Sequence, residues 1–214
     1  MKRYLYIICI ILCWGSVFPV WAQKGGDILD KAAETYEKSN GISASFAFHT
    51  RNDAQHISES FEGIIQMRGD KFAFATPDMQ VWYDGKTQWT YVERNEEVYV
   101  TEPTGDELQL TNPAVLLRTY KKGYEAKYIG ESTSASGKTA YDVELTPRKK
   151  GDIVRVSLQI EKISSFPVRI VIEDKNATRT MIQIDKLTFG VNQSDHSFVF
   201  NKENYPEADI IGLP

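Results

Sequence analysis

From Ile42 to Phe200 the sequence keeps one beat: short runs rich in β-branched and aromatic residues, each closed by a turn signal. The runs are Ile42–His49, Ser60–Met67, Lys71–Thr76, the two arms around Asp84-Gly85, and Glu97–Thr101. They resume at Tyr124–Ile129, Thr139–Leu145, Ile153–Glu161, Pro167–Glu173, Thr180–Phe189 and Ser197–Phe200. Arg94-Asn95-Glu96, Ser136-Gly137, Lys150-Gly151-Asp152 and Asp174-Lys175-Asn176 separate them, residues whose backbones accept tight turns. Parallel strands need crossovers of a dozen residues or more, usually helical. Such crossovers are missing here, so the beat predicts a meandering antiparallel sheet.

One helix precedes it and a second interrupts it. Ile28, Leu29, Ala32, Ala33 and Tyr36 recur at helical spacing between Asp27 and Ser39, and Asn40-Gly41 supplies a stop. In mid-chain, "NPAVLLRTYKKGY" places Asn112 at a cap, Pro113 at the first helical position and Gly123 at the end. Ala114, Val115, Leu116, Leu117 and Tyr120 make this second helix greasy, suited to plugging or covering one end of a barrel.

The apolar inventory is unusual for a sheet with one wet face. By alternation Phe46 and Phe48 share a face, as do Phe61, Gly63, Ile65 and Met67, and Phe72 and Phe74. In "MQVWYDGKTQWTYV" the neighbours Trp82 and Tyr83 must point to opposite sides, and Trp89 and Tyr91 crowd the second arm. A hairpin aromatic on both faces is covered on both. One side meets other elements of the fold, and the other looks into an enclosed apolar space. Trp89 and Tyr91 are expected to line that space, joined by Trp82 if the turn is the two-residue form.

Residues 1–22, "MKRYLYIICIILCWGSVFPVWA", open on Lys2 and Arg3 and run through an apolar stretch to Val20-Trp21-Ala22. Gly15, Ser16 and Pro19 break that stretch, which predicts a secretory signal peptide cleaved near Ala22 rather than a spanning helix. Both cysteines, Cys9 and Cys13, fall inside it, so disulfides, thiol catalysis and thiolate metal sites are not expected after cleavage. The remaining residues 23–214 are expected to form a single exported domain. Without Lys2 and Arg3 the formal net charge of −4 becomes −6, which disfavours binding to nucleic acid.

Catalytic chemistry finds little to stand on. His49, His56 and His196 do not have the spacing of a zinc site, and the acidic residues are scattered at turns and strand ends. There is no Gly-x-Ser-x-Gly elbow and no phosphate-cradling glycine loop. The expectation is a protein that is not an enzyme and carries neither metal nor cofactor.

Several stretches, in order, carry a resemblance: Gly41–Phe46, "FEGIIQMRGDKFAF" (Phe61–Phe74), "YDGKTQWTY" (Tyr83–Tyr91), "NEEVYV" (Asn95–Val100), "NPAVLL" and "SFVFNKENYP" (Ser197–Pro206). Together they resemble the periplasmic outer-membrane lipoprotein carriers of the LolA type over nearly all of the chain after the leader. The resemblance implies an incomplete, strongly curved antiparallel β-barrel, with an N-terminal helix and a mid-chain helical lid over an apolar cavity. It implies a monomeric periplasmic chaperone that shields lipoprotein acyl chains. Such a chaperone takes its cargo from an inner-membrane release complex and gives it to an outer-membrane acceptor. The alternative is a periplasmic sensor or binding protein for another lipid-like amphiphile.

On this reading Phe46, Phe48, Ile65, Met67, Phe72, Phe74, Trp82, Trp89 and Tyr91 line the acyl-chain cavity, and Leu116, Leu117 and Tyr120 belong to the lid. Family members often carry Arg-Pro after the strand that corresponds to Gly63–Met67, and that arginine bonds to the lid. Here the run is Met67-Arg68-Gly69-Asp70-Lys71, which leaves Arg68 as the candidate latch.

Overall fold

The computed structural model describes residues 20–104, 107–108 and 113–212. The predicted signal peptide lies outside them except for residues 20–22, as do Cys9, Cys13 and the predicted cap Asn112. Helix α1 (Val20–Glu37) begins seven residues before the predicted Asp27. Its inward face is Leu29, Ala32 and Tyr36, all buried. It stops where Asn40 and Gly41 turn to positive φ, 56° and 123°, and Gly190 donates to the Gly41 carbonyl at 2.9 Å.

The strands are β1 (Ile42–Asn52), β2 (Ile57–Arg68), β3 (Lys71–Ala75), β4 (Met79–Tyr83), β5 (Gln88–Val92) and β6 (Glu97–Thr101). Helix α2 (Pro113–Gly123) follows, then β7 (Tyr124–Thr133), β8 (Thr139–Pro147), β9 (Ile153–Glu161), β10 (Pro167–Asp174), β11 (Arg179–Phe189) and β12 (Asp209–Gly212). All belong to one sheet in the order β12-β6-β5-β4-β3-β2-β1-β11-β10-β9-β8-β7. The two ends do not pair, so the barrel stays open. Register slips at Ser45/Phe46 against β11 and at Tyr128/Gly130 against β8 are bulges, which bend strands and help the sheet to curl.

Two buried clusters fill the concave side. One joins α1 and α2 to β7–β10 through Leu29, Leu116, Leu117, Val143, Leu158 and Ile170. The other joins Tyr36 to Ile42, Ile65, Met67, Phe72, Tyr83 and Ile184. No described helix is long and apolar enough to cross a membrane.

The predicted strand Ser197–Phe200 is corrected: Asp195–Phe198 is a short 3-10 turn. The alternation of Phe198 with Phe200 reflects the packing of two rings, one buried and one half-buried, rather than edge pairing. Phe198 is fully buried, and Phe200 lies edge-on to Trp82 at 5.6 Å. The edge strand comes later, at β12, which runs parallel to β6.

Candidate functional site

The site begins with glycine. A Cβ at position 63 would lie 2.6 Å from the Ala75 carbonyl oxygen and 2.8 Å from the Phe46 ring. Only glycine lets Phe46 lie flat across β2. In that space Phe46 meets Phe61 and Phe74 edge-on, each at 6.3 Å, and Phe48 stacks on Phe61 at 4.4 Å. Strands β10 and β11 close the other side with Pro167, Ile170, Ile182 and Ile184, beside Phe166.

The result is a cavity of about 150 Å³ lined by Ala44, Phe46, Phe48, Phe61, Ile65, Met67, Phe74 and those five residues. Every lining side chain is apolar. Such walls offer dispersion and the hydrophobic effect but no acid, base or nucleophile. Phe48, Phe61 and Phe74 are only half-buried, so the aromatic end is the more open one.

Of the expected lining residues, Phe46, Phe48, Ile65, Met67 and Phe74 stand in the cavity wall. Phe72 is fully buried behind it, 5.2 Å from Tyr83. Trp82, Trp89 and Tyr91 require correction, because they lie on the opposite face of the sheet. Trp82 pairs with Trp89 and Gln80 with Tyr91 across the hairpin, whereas Val81 and Tyr83 take the inner side. The outer rings are covered by the C-terminal segment. Tyr205 lies 4.6 Å from Tyr91 and 5.6 Å from Trp82, and its hydroxyl donates to the Gln80 side-chain carbonyl at 2.8 Å. The connection spans residues 84–87, where the Asp84 carboxylate accepts from the Lys86 and Thr87 amides, each at 2.8 Å. Sequence reasoning missed the β10–β11 wall, although the apolar alternation Ile182, Ile184 is its signal.

Helix α2 occupies the neighbouring interior. Leu116, Leu117 and Tyr120 are buried against Leu29, Ala32, Val143, Leu158 and Ile170. Ile170 belongs both to that packing and to the cavity wall. The Tyr120 hydroxyl donates to Asp30 Oδ1 at 2.9 Å, and Lys121 bonds the other carboxylate oxygen at 2.7 Å. Burial, reinforced by the Asp30 carboxylate, pushes the Tyr120 phenol well above its usual range. Burial does the same to Tyr36, whose hydroxyl donates to the Gly69 carbonyl at 2.8 Å.

The latch is also corrected. Arg68 does not reach the helix; it bonds the Gln193 carbonyl and the Asp195 carboxylate in the C-terminal segment. Lys71 joins the same carboxylate at 2.6 Å and, with Arg68, holds the Asp195 pKa below its ordinary value. The cation that ties α2 to the β2–β3 turn is Arg118, paired with Asp70. The polarity is reversed from expectation, with the arginine on the helix and the carboxylate on the turn.

Solved structures include a protein of the same fold. The structure of an uncharacterized conserved protein from Thermus thermophilus superposes with a TM-score of 0.60 at 13% identity, covering 88% of this chain and 99% of that one. A putative outer membrane lipoprotein-sorting protein domain from Vibrio parahaemolyticus gives a TM-score of 0.46 at 13% identity, covering 86% and 99%. A LolA superfamily protein from Nitrosomonas europaea gives 0.46 at 14% identity, covering 82% and 97%. No curated protein matches the sequence. The family model described as "Outer membrane lipoprotein carrier protein LolA" matches residues 15–176, most of the chain, and the chain belongs to that family.

Proposed function

We propose that the protein is a periplasmic carrier that shelters the acyl chains of lipoproteins in its apolar cavity and delivers them from the inner to the outer membrane. The observation that carries this reading is a wholly apolar cavity beside a buried, apolar, charge-latched helix. Moving an acyl CH₂ out of water is worth about 0.8 kcal/mol, so a chain of roughly 16 carbons gains about 12 kcal/mol in any apolar refuge. Crossing an aqueous gap therefore demands a shielded cavity. Release demands that the cavity not hold too well.

Helix α2 answers both demands. A cavity of about 150 Å³ is the size that takes a single benzene ring. A full acyl chain enters only if Leu116, Leu117 and Tyr120 give up their places. Binding then exposes lid surface, and net affinity falls by that amount. The Arg118–Asp70 pair is partly exposed, and pairs of that kind contribute about 0–1 kcal/mol. The latch orients the lid without locking it.

In this reading the protein works as a monomer, performs no chemistry on its cargo and meets an inner-membrane release complex and an outer-membrane acceptor. The test is release: incubate the protein with membranes that bear radiolabelled lipoprotein and follow label into the soluble fraction. Acylated lipoprotein in a complex with the protein supports the carrier. A free lipid as the only bound species assigns the cavity to another amphiphile and overturns it.

A further inference from the structure

The chain is acidic overall, yet one end of the molecule collects positive charge. Helix α2 ends in Lys121 and Lys122, and the β8–β9 turn reads Arg148-Lys149-Lys150-Gly151-Asp152. The two are tied together: the Arg148 amide donates to the Gly123 carbonyl at 2.8 Å, and Tyr124 pairs with Pro147. Between them lies a groove of about 800 Å³ with Tyr124, Pro147 and Ile153 in its wall and Lys122, Arg148, Lys149 and Lys150 at its exposed margin.

Part of this charge is already answered. Lys121 pairs with Asp30 at 2.7 Å and Arg148 with Glu125 at 3.0 Å, while Asp152 is engaged by Lys175. Glu107, also in the groove wall, accepts from the Thr104 amide and hydroxyl. Lys122, Lys149 and Lys150 are exposed and make no ion pair among the described residues. The negative end of the helix dipole explains a lysine at 122. It does not explain Lys149 and Lys150, which reach the same groove from a turn.

We infer that this tip docks on the anionic phospholipid surface of a bilayer, an inference that rests on the carrier reading. Three cations without an ion pair among the described residues, brought to one tip by a helix end and a turn, complement the phosphates of a headgroup layer. Val154, 53% exposed next to the turn, adds apolar contact. An acidic protein segment would satisfy the lysines but leave the exposed Val154 beside them uncovered. The position has a consequence, because Lys122 is one helical turn from the latch residue Arg118. A membrane that holds the tip therefore acts on the helix that covers the cavity, at the place where cargo must be collected.

Each lysine near an anionic surface is worth about fivefold in binding, so three give about a hundredfold, reversible and weakened by salt. The test is co-sedimentation of the protein with vesicles of phosphatidylcholine alone or of equal parts phosphatidylcholine and phosphatidylglycerol. The expected result is binding to the mixed vesicles that exceeds the neutral control by at least about tenfold. It should be lost in K122E/K149E/K150E and reduced in the glutamine triple variant, with the melting temperature unchanged in both. Equal binding to both vesicles overturns the inference, as does a glutamate variant that binds like the parent. So does a tip that captures purified acidic membrane proteins in detergent while ignoring anionic vesicles. Titration with an acyl probe in the absence of membranes keeps the two claims apart. Vesicle binding without acyl binding leaves the tip standing and sinks the carrier, and the reverse result sinks the tip alone.

Discussion

Truncating Leu117 to alanine should weaken the protein and strengthen its hold on cargo. Leu117 is 2% exposed and packs among α1, α2 and the strands β7–β10. Removing a buried leucine side chain costs about 2–5 kcal/mol, here taken as about 3 because helix and sheet surround it. If cargo enters only when α2 leaves the interior, Leu117 is exposed in the loaded state, and the loss falls on the lidded state alone. The lid's competition with cargo weakens by the same amount, which raises affinity by up to about a hundredfold while the lidded state predominates. Stability moves the other way, with a melting temperature lower by about 6–12 °C for a chain of this size. Thermal melting and fluorescence titration with a 16-carbon acyl probe, on the same preparation, read both quantities. Lower stability with unchanged or weaker affinity would refute the claim that the lid and the cargo compete for one space.

Three further outcomes follow from particular contacts. Gly63→Leu drives a side chain into the Phe46 ring and the β3 backbone. It should cost about 1–3 kcal/mol in melting experiments and weaken the acyl probe by about tenfold, the value of two lost CH₂ contacts. Trp82→Ala, on the far face under Phe200 and Tyr205, should lower stability by about 2–3 kcal/mol, less than a fully buried ring because Trp82 is half-buried, and leave acyl affinity within about twofold of the parent. The third concerns acid. Burial opposes ionisation of Glu161, but the Ser136 and Ser134 hydroxyls and Lys138 outweigh it and hold the carboxyl below its ordinary 4.5. A depressed carboxylate stabilises fully above that ordinary value and loses its contribution as pH falls through the folded-state value. Melting followed from neutral to acid pH should show that loss, and Glu161→Gln should flatten it.

Much of the architecture was legible because turns and alternation are local. The pattern in β1 and β2 placed Phe46, Phe48, Ile65 and Met67 on one face, and "NPAVLL" marked the buried helix. What failed was decided at long range. β4 carries aromatic rings on both faces, and in β5 the more apolar face, Trp89 and Tyr91, is the outer one, so alternation alone does not say which side is inside. The answer comes from Tyr205 and Phe200, more than a hundred residues away in sequence, which cover Trp82 and Tyr91. The latch was missed for the same reason, since nothing local joins Asp70 to Arg118, 48 positions apart. Arg68 was drawn instead to the Asp195 carboxylate, which alternation along β2 does not reveal. The four-residue β12, too short to register as a strand, is defined by its parallel pairing with β6.

The central claim is that an acyl chain lies among the apolar residues of the concave face. A diacylated lipopeptide with a diazirine at the end of one chain, photolysed in complex with the protein and mapped by mass spectrometry, tests it directly. The account predicts label on the segments that carry Phe46 and Phe48, Ile65 and Met67, and Ile182 and Ile184, and more of it after Leu117→Ala. Label confined to the Trp82, Trp89 and Tyr205 face, or none above an unfolded control, would contradict it.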